Sequence, residues 1–474
     1  VSGQRRCRSD RLLCNPGTEG RRIVSVAHIT SLRLDAFKSF RGQELPLGDL
    51  TILTGRNSSG KSNALDGLEV LSRLATGEEL GDALDGTRRE AGAVRGGSSG
   101  CAPHGSDSFA IGCSVSVGDE TFDYDVEIQV SPELRVRREH LRGPAPAVKS
   151  GNVQNRDLVI TRRPSTDSMG VEAEVYNGKR GGNPSTIYRD SRLVLTQIPV
   201  RLVPRNAADR AVLRAIDAVT SSLKGVFHLD PVPHLMRTYV PERDTELRRT
   251  GQNLSASIAA LKTNDKERYE EVLQLLRDVA DTEIHDIRAV LSPLGDVMLA
   301  LEEGHGASEV TPAREMSDGL LRFLAIATAL MTAQHGLDID SEDDVSSLPG
   351  APSPVQGAVC IVVEEIENGL HPSQADRVLT LVKRSSKEYG SRVVVTTHSP
   401  ALLNAMTGSH NENIIVCFRG KDGGSRLARM TDLPGYAHAL AEGRVGDLVS
   451  RNRLVRPEEP APDWAEFDEL IGLR

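Results

Sequence analysis

Aromatic residues make up only 3% of the 474, with a single tryptophan, too few to build a row of stacking platforms for single-stranded bases. The six cysteines, Cys7, Cys14, Cys101, Cys113, Cys360 and Cys417, are scattered without a C-x-x-C pair. That excludes the usual spacing of a zinc site and suits thiols in a reducing cytosol better than a disulfide framework. No apolar run approaches the ~20 residues a membrane span needs, so no membrane partner is expected and a cytoplasmic location is. Positive charge is not in excess: 57 Lys and Arg against 66 Asp and Glu leave a net charge of −9. A chain coated throughout for nucleic acid is thereby excluded, though a local patch is not. No internal repeat is present, and the length suggests two or three compact units.

What is there is organised. Residues 1–26 form a basic stretch without the apolar core of a secretory signal and are expected to be a disordered leader. Residues 28–54 alternate and then run apolar, as two strands joined by a turn would. A glycine-rich loop opens an amphipathic helix, and residues 76–107, rich in Gly, Ser and Asp, read as a mobile loop. A hairpin turning near Gly118-Asp119 and further short strands fill the chain to about 205. Residues 206–286 have helical periodicity. Strand character then returns, a helix begins near Ser317, and residues 336–357 are an acidic, Pro/Ser-rich loop. Two short helices are expected in a C-terminal extension over 432–474.

Gly55-Arg56-Asn57-Ser58-Ser59-Gly60-Lys61-Ser62 matches G-x-x-x-x-G-K-[ST], and it stands after an apolar strand and before a helix, the context that gives the pattern meaning. Glycines let backbone N–H groups wrap a phosphate, Lys61 would reach the β/γ-phosphates of ATP, and the Ser62 hydroxyl would ligate Mg²⁺. A second apolar strand, Ile361-Val362-Val363, ends in Glu364 and Glu365. Ligands of parallel sheets gather at the carboxyl ends of strands, so Glu364 is expected to support Mg²⁺ and Glu365 to orient and deprotonate the attacking water. A third strand ends in Thr397-His398-Ser399, where His398 could donate to the γ-phosphate.

The phosphate loop with Asn63 after it, Ser317-Asp318-Gly319-Leu320-Leu321-Arg322, Glu364-Glu365-Ile366-Glu367-Asn368-Gly369-Leu370-His371-Pro372 and Thr397-His398-Ser399 occur in that order. Together they resemble the ABC-type ATPase heads, in the branch of RecF, SMC and overcoming-lysogenization-defect (OLD) ATPases. The chain is most similar to ATPase subunits of anti-phage systems such as Septu and Gabija. The resemblance covers roughly residues 28–430. It implies an α/β, P-loop NTPase fold: a two-lobed head with a β-rich lobe at 27–205, a helical insertion arm at 206–286 and a second lobe at 287–431. It also implies work as a homodimer or higher oligomer, in which Ser317, Asp318, Gly319 and Arg322 of one head cap ATP held by the other. Glu367, Asn368 and His371 would then lie at the dimer seam. A glutamine lining the metal is expected between loop and signature, with Gln197 one candidate.

OLD and Gabija ATPases carry a nuclease domain after the last ATPase motif, whereas 76 residues follow His398 here without a D-x-D. The resemblance therefore implies an ATPase that regulates a separately encoded effector, a nuclease or toxin. A RecF-like DNA-binding repair clamp is the alternative, and the nucleotide subunit of a transporter fits less well because the signature is S-D-G. Residues 132–250 hold 21 Lys/Arg against 13 Asp/Glu. Within them Arg135, Arg137 and Arg138 could begin a phosphate-tracking stripe on double-stranded DNA or lie on a solvated face of mixed charge.

Overall fold

In the computed structural model, residues 25–87, 92–147, 150–162, 170–280, 282–304, 309–339, 354–368, 375–404 and 408–434, with Tyr436 and Gly446, are described. The leader up to 24, residues 340–353 of the acidic loop, and nearly all of the C-terminal extension lie outside them. The first apolar stretch makes three strands rather than two: β1 (Ser25–Phe37), β2 (Phe40–Pro46) and β3 (Leu50–Thr54). The extra reversal is a two-residue turn that sets Phe37 opposite Phe40, with Lys38 in the left-handed region at φ +49°. Helix α1 (Lys61–Ala75) follows the glycine-rich loop, and α2 (Leu80–Asp85) lies within the segment expected to be a mobile loop. That segment is ordered by buried Leu80, Ala83, Leu84, Val94 and Cys101, with positive-φ glycines at 86, 92, 96 and 97 turning the chain between them. Glycine content signalled the turns there but not the apolar anchors.

An antiparallel meander comes next: β4 (Ser108–Val117), β5 (Glu120–Gln129), β6 (Arg135–Pro146), β7 (Val153–Arg162), β8 (Val171–Val175) and β9 (Ser185–Tyr188). The β4–β5 hairpin turns at Gly118-Asp119, with Val117 opposite Glu120. Then follow α3 (Val194–Arg201), α4 (Ala207–Lys224), β10 (Val226–Leu229), α5 (Pro233–Met236), β11 (Val240–Pro241), α6 (Leu254–Asn264) and α7 (Lys266–Val279). A small sheet of β11, β12 (Ile284–Leu291), β13 (Asp296–Glu303) and β14 (Glu309–Pro312) leads into α8 (Asp318–Met331). The chain closes with β15 (Val355–Gly357), β16 (Cys360–Val363), α9 (Ala375–Tyr389), β17 (Arg392–Thr397), α10 (Pro400–Asn404), β18 (Ile414–Arg419) and β19 (Ser425–Arg429).

The large sheet runs β10-β16-β17-β3-β18-β19-β2-β1 and on through the meander to β9. Its first five strands are parallel. They divide their side chains between two cores: Leu53, Val362, Val394 and Ile415 face one, and Ile52, Ile361, Val363, Val393 and Val395 face the other. Burial on both faces is why these strands read as unbroken apolar runs. Residues 206–286 are largely helical, but their helices do not project as an arm. Helix α4 gives Val212, Ile216 and Val219 to the first core, α6 and α7 give Ile258, Tyr269, Val272 and Leu276 to the second, and β10 joins the sheet. Each helix finds cover for its apolar face against the head itself.

Glu139 on β6 is buried, and its carboxylate accepts from Tyr124 Oη at 2.8 Å and from the backbone N–H groups of Leu195 and Val194 at the start of α3. Burial outweighs these donors and pushes its pKa up to about 7. The folded state thus holds a proton that the unfolded chain has released by about pH 4.5. Stability from this group is present below that pH and is lost as pH rises through about 7, a difference of about 3 kcal/mol at most. Chemical denaturation of wild type and Glu139→Gln between pH 5 and 8 is expected to show a wild-type stability that falls with pH relative to the variant.

Candidate nucleotide-binding site

The phosphate loop joins β3, at the centre of the parallel strands, to α1. Gly60 has φ +118°, and a Cβ there would meet Ser425 Oγ at 2.3 Å; one at Gly55, φ +145°, would meet the Cys417 carbonyl oxygen at 2.1 Å. Only glycine fits at either position. Neighbours hold the loop open: Ser425 Oγ donates to the Ser59 carbonyl at 2.6 Å, and Arg419 Nε to the Ser58 carbonyl at 2.9 Å. Lys61 is buried, and its Nζ donates to the carbonyls of Gly55 (2.7 Å) and Arg56 (3.3 Å). Desolvation lowers its pKa, against the pull of surrounding groups that include Glu365, Glu367 and Glu364. Asn63 Nδ2 donates to Ser39 Oγ, tying the start of α1 to the β1–β2 turn.

The tips of β16 and β17 close on this loop. Ser62 Oγ donates to Glu364 Oε2 at 2.9 Å, across 302 residues of chain. Glu365 has φ +48°, and its N–H donates to Thr396 Oγ1 at 2.8 Å, while its Oε2 accepts from Asn368 Nδ2. His398 N–H donates to Glu367 Oε1 at 2.8 Å, and the imidazole Nδ1 lies 3.3 Å from the same oxygen. Among the described residues the non-glycine positions with positive φ are Lys38, Ser58 and Glu365, all at or beside this cleft. Strain of order 1 kcal/mol or more per residue gathers where a site fixes geometry. Asn57, Ser58, Gly60, Lys61, Ser62, Asn63, Arg95, Glu365, Thr396 and Arg419 line a cleft of about 390 Å³. A hydroxyl and a carboxylate oxygen side by side at its edge are hard donors of the kind Mg²⁺ takes, completing its shell with phosphate oxygens and water.

Arg95 was not legible in the sequence. Its Nη2 donates to Glu364 Oε1 at 2.8 Å and lies 3.6 Å from Asp66 Oδ1, and Asp66 pairs with Lys38 Nζ at 2.7 Å. Arg95 thus sets a positive charge on one oxygen of the carboxylate whose other oxygen meets Ser62, and that charge would oppose a metal there. Arg95→Ala is expected to tighten Mg²⁺ binding in the absence of nucleotide several-fold, read by titration calorimetry; an unchanged affinity would mean the contact carries no weight.

Ser317 is the N-cap of α8, its Oγ accepting from Leu320 N–H at 3.2 Å, and Ser317 and Asp318 are both exposed. Asp318 pairs with Arg237 at 2.6 Å, and Arg322 is half-buried on the same helix. His371 lies outside the described residues, and Glu367 and Asn368 sit at the β16 tip. Gln197 does not line the cleft: its amide donates to the carbonyls of Arg189, Arg192 and Leu193 and accepts from Arg189 N–H. The three arginines of the expected basic stripe sit among acids and amides on β6. Arg137 pairs with Asp107 and Glu127, Arg135 Nε donates to Gln129, and exposed Arg138 stands opposite Glu127 in the β5–β6 register. Strand pairing set these arginines among acids and amides, which a one-dimensional charge count cannot show.

A family model described as "AAA domain, putative AbiEii toxin, Type IV TA system" matches residues 50–404. No curated protein matches the chain. Among solved structures, an SMC head bound to the C-terminal winged-helix domain of ScpA aligns at 15% identity and TM-score 0.44, covering 85% of this chain and 97% of that one. An SMC head domain from Thermotoga maritima aligns at 13% identity and TM-score 0.38, covering 85% and 98%. An Smc head with an extended coiled coil from Pyrococcus furiosus aligns at 13% and 0.41, covering 88% and 99%. The P-loop α/β fold itself rests on the parallel strand order, with the phosphate loop leaving its central strand.

Proposed function

The chain belongs to the AAA-domain family whose model spans its residues 50–404, and from that membership and the cleft at Lys61 we propose that it hydrolyses ATP as a head-to-head dimer. The observation that carries this reading is the meeting of Ser62 with Glu364, and of the phosphate loop with Glu365, at the carboxyl ends of β3 and β16, the parallel strands on either side of β17. Lys61 and the loop amides bind the β- and γ-phosphates, drawing the ammonium away from the carbonyls of Gly55 and Arg56. Ser62 and Glu364 would hold Mg²⁺, which when bound supplies charge neutralisation for the phosphates. Glu365, turned into the cleft by its left-handed backbone and held by Asn368, orients the attacking water and takes its proton. His398, fixed by Glu367, is set at the next strand tip to contact the γ-phosphate. The exposed N-terminus of α8, with Ser317 at its cap, offers backbone N–H groups to the phosphate held by a second chain.

The family's description names a toxin of a type IV toxin–antitoxin system, and the motif set resembles ATPase subunits of anti-phage systems. We read the chain as the ATPase subunit of a defence complex that regulates a separate nuclease or toxin, a reading by analogy of family. No specific observation favours the DNA-clamp alternative, since Arg135 and Arg137 are engaged within the meander. The test is gentle affinity purification of Glu365→Gln with ATP from the native host, read by mass spectrometry. A stoichiometric nuclease or toxin supports the reading. Repair proteins with DNA, or the chain alone, overturn it.

A further inference from the structure

One carboxylate oxygen behind the phosphate loop gathers three hydrogen bonds from two arginines, one on its own helix and one 180 residues along the chain. Glu69 Oε1, in the third turn of α1, accepts from Arg73 Nε (3.1 Å) and Nη2 (2.6 Å) and from Arg249 Nη2 (2.9 Å). Burial works against its ionised form, but His228, Arg249 and Arg73 around it hold its pKa down at about 2. Arg73 reaches onward, donating to the Gly92 carbonyl at 2.6 Å, three residues before the arginine that holds Glu364.

The chain around Arg249 packs with the second core, to which Leu247 and Leu254 belong. The neighbouring Leu247 exchanges hydrogen bonds with the chain just after α8, Leu247 N–H donating to the Gly336 carbonyl at 2.7 Å and Asp338 N–H to the Leu247 carbonyl at 3.0 Å. Two residues after Arg249, Gly251 has φ +68°; a Cβ there would meet Met236 Cε at 2.7 Å and Ala325 Cβ, in the middle of α8, at 3.4 Å. The Arg249 carbonyl accepts from Asp230 N–H at 2.9 Å, and its Nε donates to the His228 carbonyl on β10 at 3.2 Å. The turn 247–251 is therefore seated against the signature helix, and the Arg249 guanidinium crosses from it to α1.

We propose that Glu69 and Arg249 are positioning residues that fix the signature helix α8 relative to the phosphate helix α1, so that ATP held at Lys61 sets the aim of Ser317. The proposal rests on the reading of the chain as an ATPase that dimerises through that signature. A pair at this site has a plain structural alternative, since breaking a half-buried ion pair destabilises any fold. The two are separated by a double variant. Glu69→Gln with Arg249→Met keeps an acceptor for Arg73 and removes one negative and one positive charge together, so the net charge of the cluster stays as it was.

The experiment compares wild type, Arg249→Met and the double variant in melting temperature, nucleotide affinity and steady-state turnover. The expected result is a double variant that melts near wild type and binds a fluorescent ATP analogue within about threefold of it, yet turns over ATP at least tenfold more slowly with little change in KM. A double variant that regains wild-type turnover along with its melting temperature would show a merely structural pair and overturn the proposal, as would a loss confined to KM. If wild type itself neither hydrolyses ATP nor associates with it, the ATPase reading fails first, which is a different outcome from failure of the link.

Discussion

Glu365→Gln is expected to bind ATP as tightly as wild type, to turn it over roughly 10²- to 10⁴-fold more slowly, and to accumulate as an ATP-bound dimer. The change removes a proton acceptor and little else. Gln keeps the length of the side chain and an oxygen for Asn368, and the backbone N–H bond to Thr396 is untouched. Lys61→Ala is the contrasting case. It deletes the buried ammonium that now rests on the carbonyls of Gly55 and Arg56, so nucleotide binding fails and no dimer forms. Size-exclusion chromatography with light scattering, with and without ATP, distinguishes the two. Dimerisation indifferent to both changes would contradict the proposed coupling of closure to nucleotide.

Ser317→Asp should produce the second large effect. Within one chain Ser317 is an N-cap that satisfies Leu320 N–H, and Asp caps a helix about as well as Ser. A purely local role therefore predicts no change in stability or turnover. If the α8 N-terminus instead faces a partner's γ-phosphate, a carboxylate there meets like charge in a site from which water is excluded. Turnover should then fall by about 10²-fold or more while ATP binding to the single chain is unchanged, the size expected when a transition-state donor site is lost. Single-turnover kinetics on the folded variant would measure it.

The parts of the site that could be read from the chain share one property: each is written in consecutive residues. The phosphate loop carries its own strand and helix around it, and Glu364, Glu365 and His398 stand directly after apolar strands whose two-faced burial leaves an unmistakable run. Arg95 has no such frame. It lies in a stretch where glycines mark turns and only Val94 and Cys101 nearby anchor the chain, so its meeting with Glu364, 269 residues away, depends on tertiary packing. Lys38 and Asp66, or Glu69 and Arg249, are likewise pairs whose partners are set by how β1, α1 and the 247–251 turn stack. The helical periodicity of 206–286 was visible. Its place was not, because an apolar helix face reports that it will be covered and not by what. The basic count over 132–250 is silent for the converse reason on where its charges stand, since the meander sets Arg137 and Arg138 beside acids from adjacent strands.

In the proposed dimer a working site is shared between two chains, with the phosphate loop from one and the signature from the other. Mixing the Lys61→Ala and Ser317→Asp proteins tests it most directly, since each is inactive alone for a different reason. A mixed dimer contains one site with an intact loop from the Ser317→Asp chain and an intact signature from the Lys61→Ala chain. ATP hydrolysis is expected to reappear on mixing and to depend on the ratio of the two proteins. A mixture no more active than the sum of its parts would contradict a shared site.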